Sequence, residues 1–211
     1  MLRTIISSVL MLCAFNIQAQ ELKSIKLTAP DKTRGTSVMQ ALNDRKSTRE
    51  YAPESLNPQD LSDLLWAANG INRPDGRRTA PSARNFQSVE LYVIFPEGAY
   101  HYDHKEHALN PIATGDFREA LAGGQDFVKA APMAIVMVAD MNKYGNMSEN
   151  SKMMAAVDVG IVCQNINIAC AALGLVTVPR GIMDHAAVKE ALKLTDTHII
   201  LMNNPVGYPK K

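Results

Sequence analysis

The chain has 211 residues, with 22 Lys+Arg against 21 Asp+Glu and 46% apolar residues. That length suits one domain whose core needs no disulfide or metal staple. The net charge of +1 offers no basic stripe for nucleic acid, and the apolar content excludes a disordered or collagen-like chain.

Residues 1–19, MLRTIISSVLMLCAFNIQA, predict a secretory signal peptide. Arg3 precedes an apolar stretch from Ile5 to Phe15, and a short polar exit ends in the small residue Ala19. The stretch is too short to span a bilayer. Cleavage after Ala19 would deliver the mature chain to the periplasm. No stable membrane anchor is expected, because Leu10-Met11-Leu12 before Cys13 lacks the small residues of a lipidation site. Residues 20–36 read as an extended polar lead-in, and the folded domain is expected over 37–211.

Ser37 to Asn43 carries a short helical pattern with Val38, Met39 and Leu42 on one side. Asn57-Pro58-Gln59-Asp60 predicts a helix start: a capping Asn, Pro at the first helical position and an acid in the first turn. Leu61, Leu64, Leu65 and Ala68 form its apolar face, and Gly70 ends it. Residues 70–84 (GINRPDGRRTAPSAR) form a loop rich in Gly, Pro and Arg, long enough to suggest a functional one. Val89 to Phe95 predicts a strand that pairs back through a turn with Ala99 to Tyr102. Asp116 to Leu121 and Gln125 to Ala130 suggest short helices.

Met133 to Ala139 is a continuous apolar strand, the kind covered on both faces. Ser148 to Leu173 predicts a long helix stopped by Gly174. It is apolar nearly all round from Ala155, so it belongs at the centre or at a subunit interface. A short strand at Val176 to Val178, a helix capped by Asp184 and running to Leu192, and a strand from His198 to Met202 follow. The tail is NNPVGYPKK. The irregular alternation predicts an α+β fold with one mixed sheet.

No dinucleotide or P-loop fingerprint, GxSxG or HExxH occurs, so no catalytic side chain is assigned. Cys163 and Cys170 are seven apart on one helix, about 10 Å along its axis, too far for a disulfide. His101, His104 and His107, interleaved with Asp103 and Glu106, admit a metal cluster. Their spacing of three does not suit one face of a strand, and a polar turn at Asp103-His104-Lys105 accounts for them without one; no metal is assigned. Arg45-Lys46-Ser47-Thr48-Arg49 holds three cations and two hydroxyls in five residues. It reads either as a solvated basic turn or as a phosphate cradle, since Arg forks match phosphate oxygens and Ser adds a neutral donor. Lys210-Lys211 is a second basic group.

Four blocks in order resemble the FMN-dependent nitroreductase family over about residues 37–211. They are Arg45-Lys46-Ser47-Thr48-Arg49, the segment Pro81-Ser82-Ala83-Arg84-Asn85-Phe86-Gln87, the helix from Asp158 through Gly174, and the terminal Pro205-Val206-Gly207-Tyr208-Pro209-Lys210-Lys211. The 70–84 loop and the Tyr100-His101-Tyr102-Asp103 hairpin look most like the branch of azoline-oxidising, peptide-maturation dehydrogenases.

The resemblance implies a nitroreductase-like sheet flanked by helices and a homodimer with a long central interface helix, holding two FMN molecules between the subunits. It implies that Arg45, Lys46 and Ser47 meet the FMN phosphate, joined by Lys210 or Lys211. Arg49 would approach the N1/C2 edge of the flavin, and Asn85 its pyrimidine edge. Ser82 and Arg84 would sit near ring or phosphate, and the backbone of Arg180 and Gly181 near N5. Arg180 stands where relatives in this family carry an acid, so a cation there is expected to alter donor or substrate preference. Asn203-Asn204 replaces apolar positions. The implied activity is an exported FMN oxidoreductase, with NAD(P)H as donor and a nitroaromatic, quinone or related small-molecule acceptor. A flavin-dependent dehydrogenase or oxidase, or a flavin-binding protein without turnover, is the alternative.

Overall fold

The computed structural model describes residues 21–211, so the expected signal peptide lies outside the described residues. Seven strands make one sheet: β1 (Ile25–Lys26), β2 (Val89–Phe95), β3 (Gly98–Asp103), β4 (Ala108–Thr114), β5 (Met133–Asp140), β6 (Val176–Thr177) and β7 (His198–Gly207). Their order is β1-β4-β3-β2-β5-β7-β6. Every pairing between these strands is antiparallel. A single parallel bridge, Ser47 to Thr177, adds the basic segment at the β6 edge.

Five α-helices cover the two faces: α1 (Val38–Asp44), α2 (Pro58–Asn69), α3 (Arg118–Ala122), α4 (Glu149–Leu173) and α5 (His185–Ala191). The central strand β5 shows why its sequence is apolar without alternation. Met133, Ile135, Met137 and Ala139 pack with α2 and α4 on one face. Ala134, Val136 and Val138 pack with Leu121, Val188 and Leu192 of the α3/α5 side on the other. Both faces are buried, so no polar face is needed.

Local chemistry sets the helix ends. The Asn57 side chain accepts from the Asp60 N–H at 2.8 Å and starts α2. The Ser148 Oγ accepts from the Ser151 N–H and starts α4. Gly174, at φ +73, ends α4 in the left-handed conformation, and the next N–H returns to the Cys170 carbonyl at 2.8 Å.

Two strands differ from the sequence expectation. β4 was hidden by Pro111, which lacks the N–H a ladder uses. It sits opposite Tyr100, where the register shifts between Ala99 and Tyr100, so the missing donor falls at an irregularity. β7 runs on through the expected tail to Gly207, with Asn203 and Asn204 opposite Val136 and Ile135. These asparagines are fully buried because each finds side-chain partners. The Asn203 Oδ1 accepts from Arg180 Nη1 at 2.8 Å. The Asn204 Nδ2 donates to Thr177 Oγ1 at 3.0 Å, and its Oδ1 accepts from the Cys163 thiol at 3.2 Å.

The lead-in is a strap. β1 pairs with β4 at the sheet edge. Arg34 then reaches Asp60 Oδ1 at 2.5 Å and Asp63 Oδ2 at 2.6 Å on α2. The Tyr208 hydroxyl donates to Asp60 Oδ2 at 2.6 Å, so both ends of the domain are tied to the same helix.

Candidate cofactor site

The segment after α1 is held between two strands. Ser47 bridges Thr177, and the Thr48 N–H donates to the Thr177 carbonyl at 3.0 Å. On its other side Tyr51 bridges Pro209 in antiparallel sense, and the Ala52 N–H donates to the Tyr208 carbonyl at 3.0 Å. This bridge sets the chain just after the 45–49 cluster beside the chain just before Lys210 and Lys211. Among the described residues, Arg45, Lys46, Arg49, Arg84, Lys210 and Lys211 form no ion pair.

Beside this segment lies a cavity of about 50 Å³ whose polar lining is Asp44, Arg45, Lys46, Thr48, Asn167 and Thr177. Asn167 is 3% exposed. Its Nδ2 donates to the Cys163 carbonyl at 2.7 Å, while its Oδ1 has no partner. A buried acceptor without a donor is costly, so this wall is shaped to receive one. Asn165 is satisfied structurally, donating to the Ala68 carbonyl at 3.2 Å.

Arg180 plays a different part from the one expected. Its guanidinium is turned inward and the residue is 6% exposed. It donates to the carbonyls of Leu121 and Ala122 at 2.9 and 2.8 Å, to Asn203 Oδ1 at 2.8 Å and to Gln125 Oε1 at 2.9 Å. Its backbone N–H and carbonyl are both paired with Asn203, at 2.9 and 2.7 Å. The guanidinium therefore ties α3 to β7. Gly181 remains open: a Cβ built there would meet only the Leu201 carbonyl, at 3.8 Å. Arg49 does lie nearby, since it and Arg180 pack on the Phe127 ring at 5.8 and 5.4 Å from its centroid. No sequence signal singled out Phe127.

Ser82, Arg84 and Asn85 form a second group, anchored elsewhere on α4. The Ala83 N–H donates to both carboxylate oxygens of Asp158, at 2.9 and 3.1 Å. Asp158 and Asn167 are nine residues apart, about 14 Å along the helix and half a turn around it. Arg84 and Asn85 are exposed, whereas the Ser82 Oγ is engaged, accepting from the Gln87 N–H at 2.9 Å. The 70–84 loop is an ordered turn, with Ile71 bridging Arg78 and the Arg78 side chain buried.

The three hairpin histidines point to separate partners. His101 Nε2 meets Glu90 Oε2 at 3.0 Å, and His104 Nε2 meets Arg78 Nη2 at 2.7 Å. His107 contacts Ser62 Oγ at 2.7 Å and the Tyr102 hydroxyl at 2.8 Å. Arg78 can only donate, so His104 accepts through a bare Nε2. Burial, and then the Arg78 charge, push the His104 imidazole down to about 4. The turn is thus less solvated than its polarity suggested.

The fold has known counterparts. The nitroreductase family profile matches residues 42–208. The crystal structure of "a putative nitroreductase" from Ralstonia eutropha JMP134 is similar, with 34% identity and a TM-score of 0.83, covering 89% of this chain and 90% of that one. A protein of Methanocaldococcus jannaschii named "Putative nitroreductase" is 30% identical over 173 residues, 77% of this chain and 86% of that protein. The FMN reductase (NAD(P)H) of Bacillus subtilis strain 168 is 26% identical over 187 residues, 82% of this chain and 66% of that protein. The chain belongs to the nitroreductase family, and by that membership it is an oxidoreductase.

Proposed function

We propose that the protein is an exported FMN-dependent oxidoreductase. It takes electrons from NAD(P)H and passes them to a nitroaromatic, quinone or related small acceptor. The observation that supports this reading is the Tyr51–Pro209 bridge, which runs the chain after the 45–49 cluster beside the C-terminal tail, in a chain of this family. The residues present fit FMN on two counts. A group of unpaired cations beside Ser47 matches a phosphate dianion. The orphaned Asn167 Oδ1, in the wall shared with Arg45 and Lys46, matches a hydroxyl donor such as a ribityl chain carries.

When bound, FMN supplies the redox chemistry, accepting a hydride equivalent from a reduced nicotinamide and yielding it to the acceptor. The chain's own residues bind and orient. Arg45, Lys46 and Ser47, with Lys210 or Lys211, would hold the phosphate. Arg49 offers positive charge where negative charge develops on reduction. Asn85 offers an amide to a ring edge, and Gly181 leaves room for close approach.

A second copy of the chain completes this reading. Val38, Met39 and Leu42 of α1 and Met153 and Val157 of α4 are exposed large apolar side chains, at 45–75% exposure. Exposed large apolar side chains of this kind suit an interface, and a homodimer would bury them. Cys163 and Cys170, the two cysteines among the described residues, suit export: both are buried and free, and burial pushes the Cys163 thiol up to about 11, so neither is poised to oxidise.

FMN titration of the wild-type and Arg45→Ala proteins tests the site. Loss of that charged contact should weaken binding by about 1.5–3 kcal/mol. Unchanged affinity would remove Arg45 from the cofactor site.

A further inference from the structure

The segment from Ser82 to Gln87 has an unusual backbone. Arg84, Asn85 and Gln87 lie at φ +49, +58 and +51, in the left-handed region that residues with a side chain seldom adopt. Such a stretch persists only where its surroundings hold it, and here the holding group is identifiable. Asp158 sits on α4 among Ala155, Val159 and Val162, and is 2% exposed. It forms no ion pair among the described residues. Its carboxylate accepts the Ala83 N–H in forked fashion and the Tyr144 hydroxyl at 2.9 Å. Burial, and then the neighbouring carboxylate, push the Tyr144 phenol up to about 12, which keeps it a donor. The Tyr144 ring in turn packs on Phe86, with centroids 4.7 Å apart. A carboxylate without a cation is an expensive choice in an apolar helix, where an aliphatic residue would pack more cheaply.

We infer that Asp158, with Tyr144, is a positioning residue: it clamps the Ser82–Gln87 segment with Arg84, Asn85 and Gln87 at positive φ and so presents Ser82, Arg84 and Asn85 to the flavin. The clamp acts through acceptor geometry at the Ala83 N–H. An amide at this position can keep that bond and donate to Tyr144, whereas an aliphatic side chain of similar size cannot. The flavin part of this inference rests on the FMN reading above.

Amide hydrogen exchange and FMN titration of Asp158→Leu, Asp158→Asn and Tyr144→Phe test it. In Asp158→Leu, exchange across residues 82–87 should rise about tenfold or more while β5 stays protected, and the FMN Kd should rise about tenfold or more, with an altered visible band for the bound flavin. Asp158→Asn should return both readouts to within about threefold of wild type. If Asp158→Leu does not fold, Tyr144→Phe decides the same point, with a smaller rise in exchange confined to the same segment. Unchanged exchange in that segment, or failure of Asp158→Asn to rescue, would overturn the clamp. Weakened FMN binding in Arg45→Ala but not in a loop-loosened Asp158→Leu would overturn this inference alone. A wild-type protein that takes up no FMN would contradict the FMN reading, while the exchange measurement would still decide the clamp.

Discussion

Arg180 and Asn203 each stood out in the sequence as departures, and neither explained itself. Their meaning is mutual: the Arg180 guanidinium is satisfied by the Asn203 side chain. A contact between positions 23 residues apart on separate elements leaves no local pattern, so it could not be read beforehand. Arg180→Leu strands the Leu121 and Ala122 carbonyls and should cost about 3 kcal/mol. The double variant Arg180→Leu/Asn203→Leu should cost less than the sum of the singles by about 1–2 kcal/mol in urea unfolding, because the pair shares one bond. Strict additivity would contradict the pairing.

His104 gives a pH prediction. Its ordinary value of 6.5 falls to about 4 in the folded chain, chiefly through burial. Between those values the unfolded chain binds the extra proton, so stability rises with pH from about 4 to 6.5 and levels off above. His107 is shifted in the same direction, again by burial. The wild type should lose roughly 2 kcal/mol of unfolding free energy between pH 7 and pH 4.5, and His104→Gln should lose measurably less. Equal slopes for the two proteins would remove His104 as the cause.

At the scale of elements, most of the fold was legible. Capping chemistry marked α2, α4 and α5, and the unbroken apolar run marked β5. What stayed hidden was non-local. β4 depends on a bulge to accommodate Pro111, and the last part of β7 depends on partners for two buried asparagines. The lead-in looked featureless because its function is to bind α2: Arg34 neutralises Asp60 and Asp63, which are 4% and 5% exposed. Arg34→Met should therefore lower the urea midpoint, and adding Asp60→Asn and Asp63→Asn should recover part of the loss. No recovery would mean that Arg34 acts through packing and not through charge.

For the whole molecule, the sequence singled out the cations, while the bridges that hold their segment come from residues far apart in sequence. The total charge is near balance, and the segment that carries Arg45, Lys46 and Arg49 is bridged to the β6 edge at Ser47 and, two residues past Arg49, to the C-terminal tail at Tyr51. The Ser82–Asn85 group was legible as a motif, but its support on Asp158 and Tyr144 was not, since that support is made across elements. The exposed apolar side chains of α1 and α4 predict that Val157→Asp converts a dimer into a monomer in sedimentation experiments and weakens flavin retention. A monomeric wild type would contradict the shared site.

The most direct test of the oxidoreductase reading is optical. The purified mature chain, supplied with FMN under anaerobic conditions, should show a bound-flavin visible band. That band should bleach with NADH or NADPH and return when a quinone or nitroaromatic is added. A protein that binds no FMN, or a bound flavin that neither nicotinamide bleaches, would contradict it.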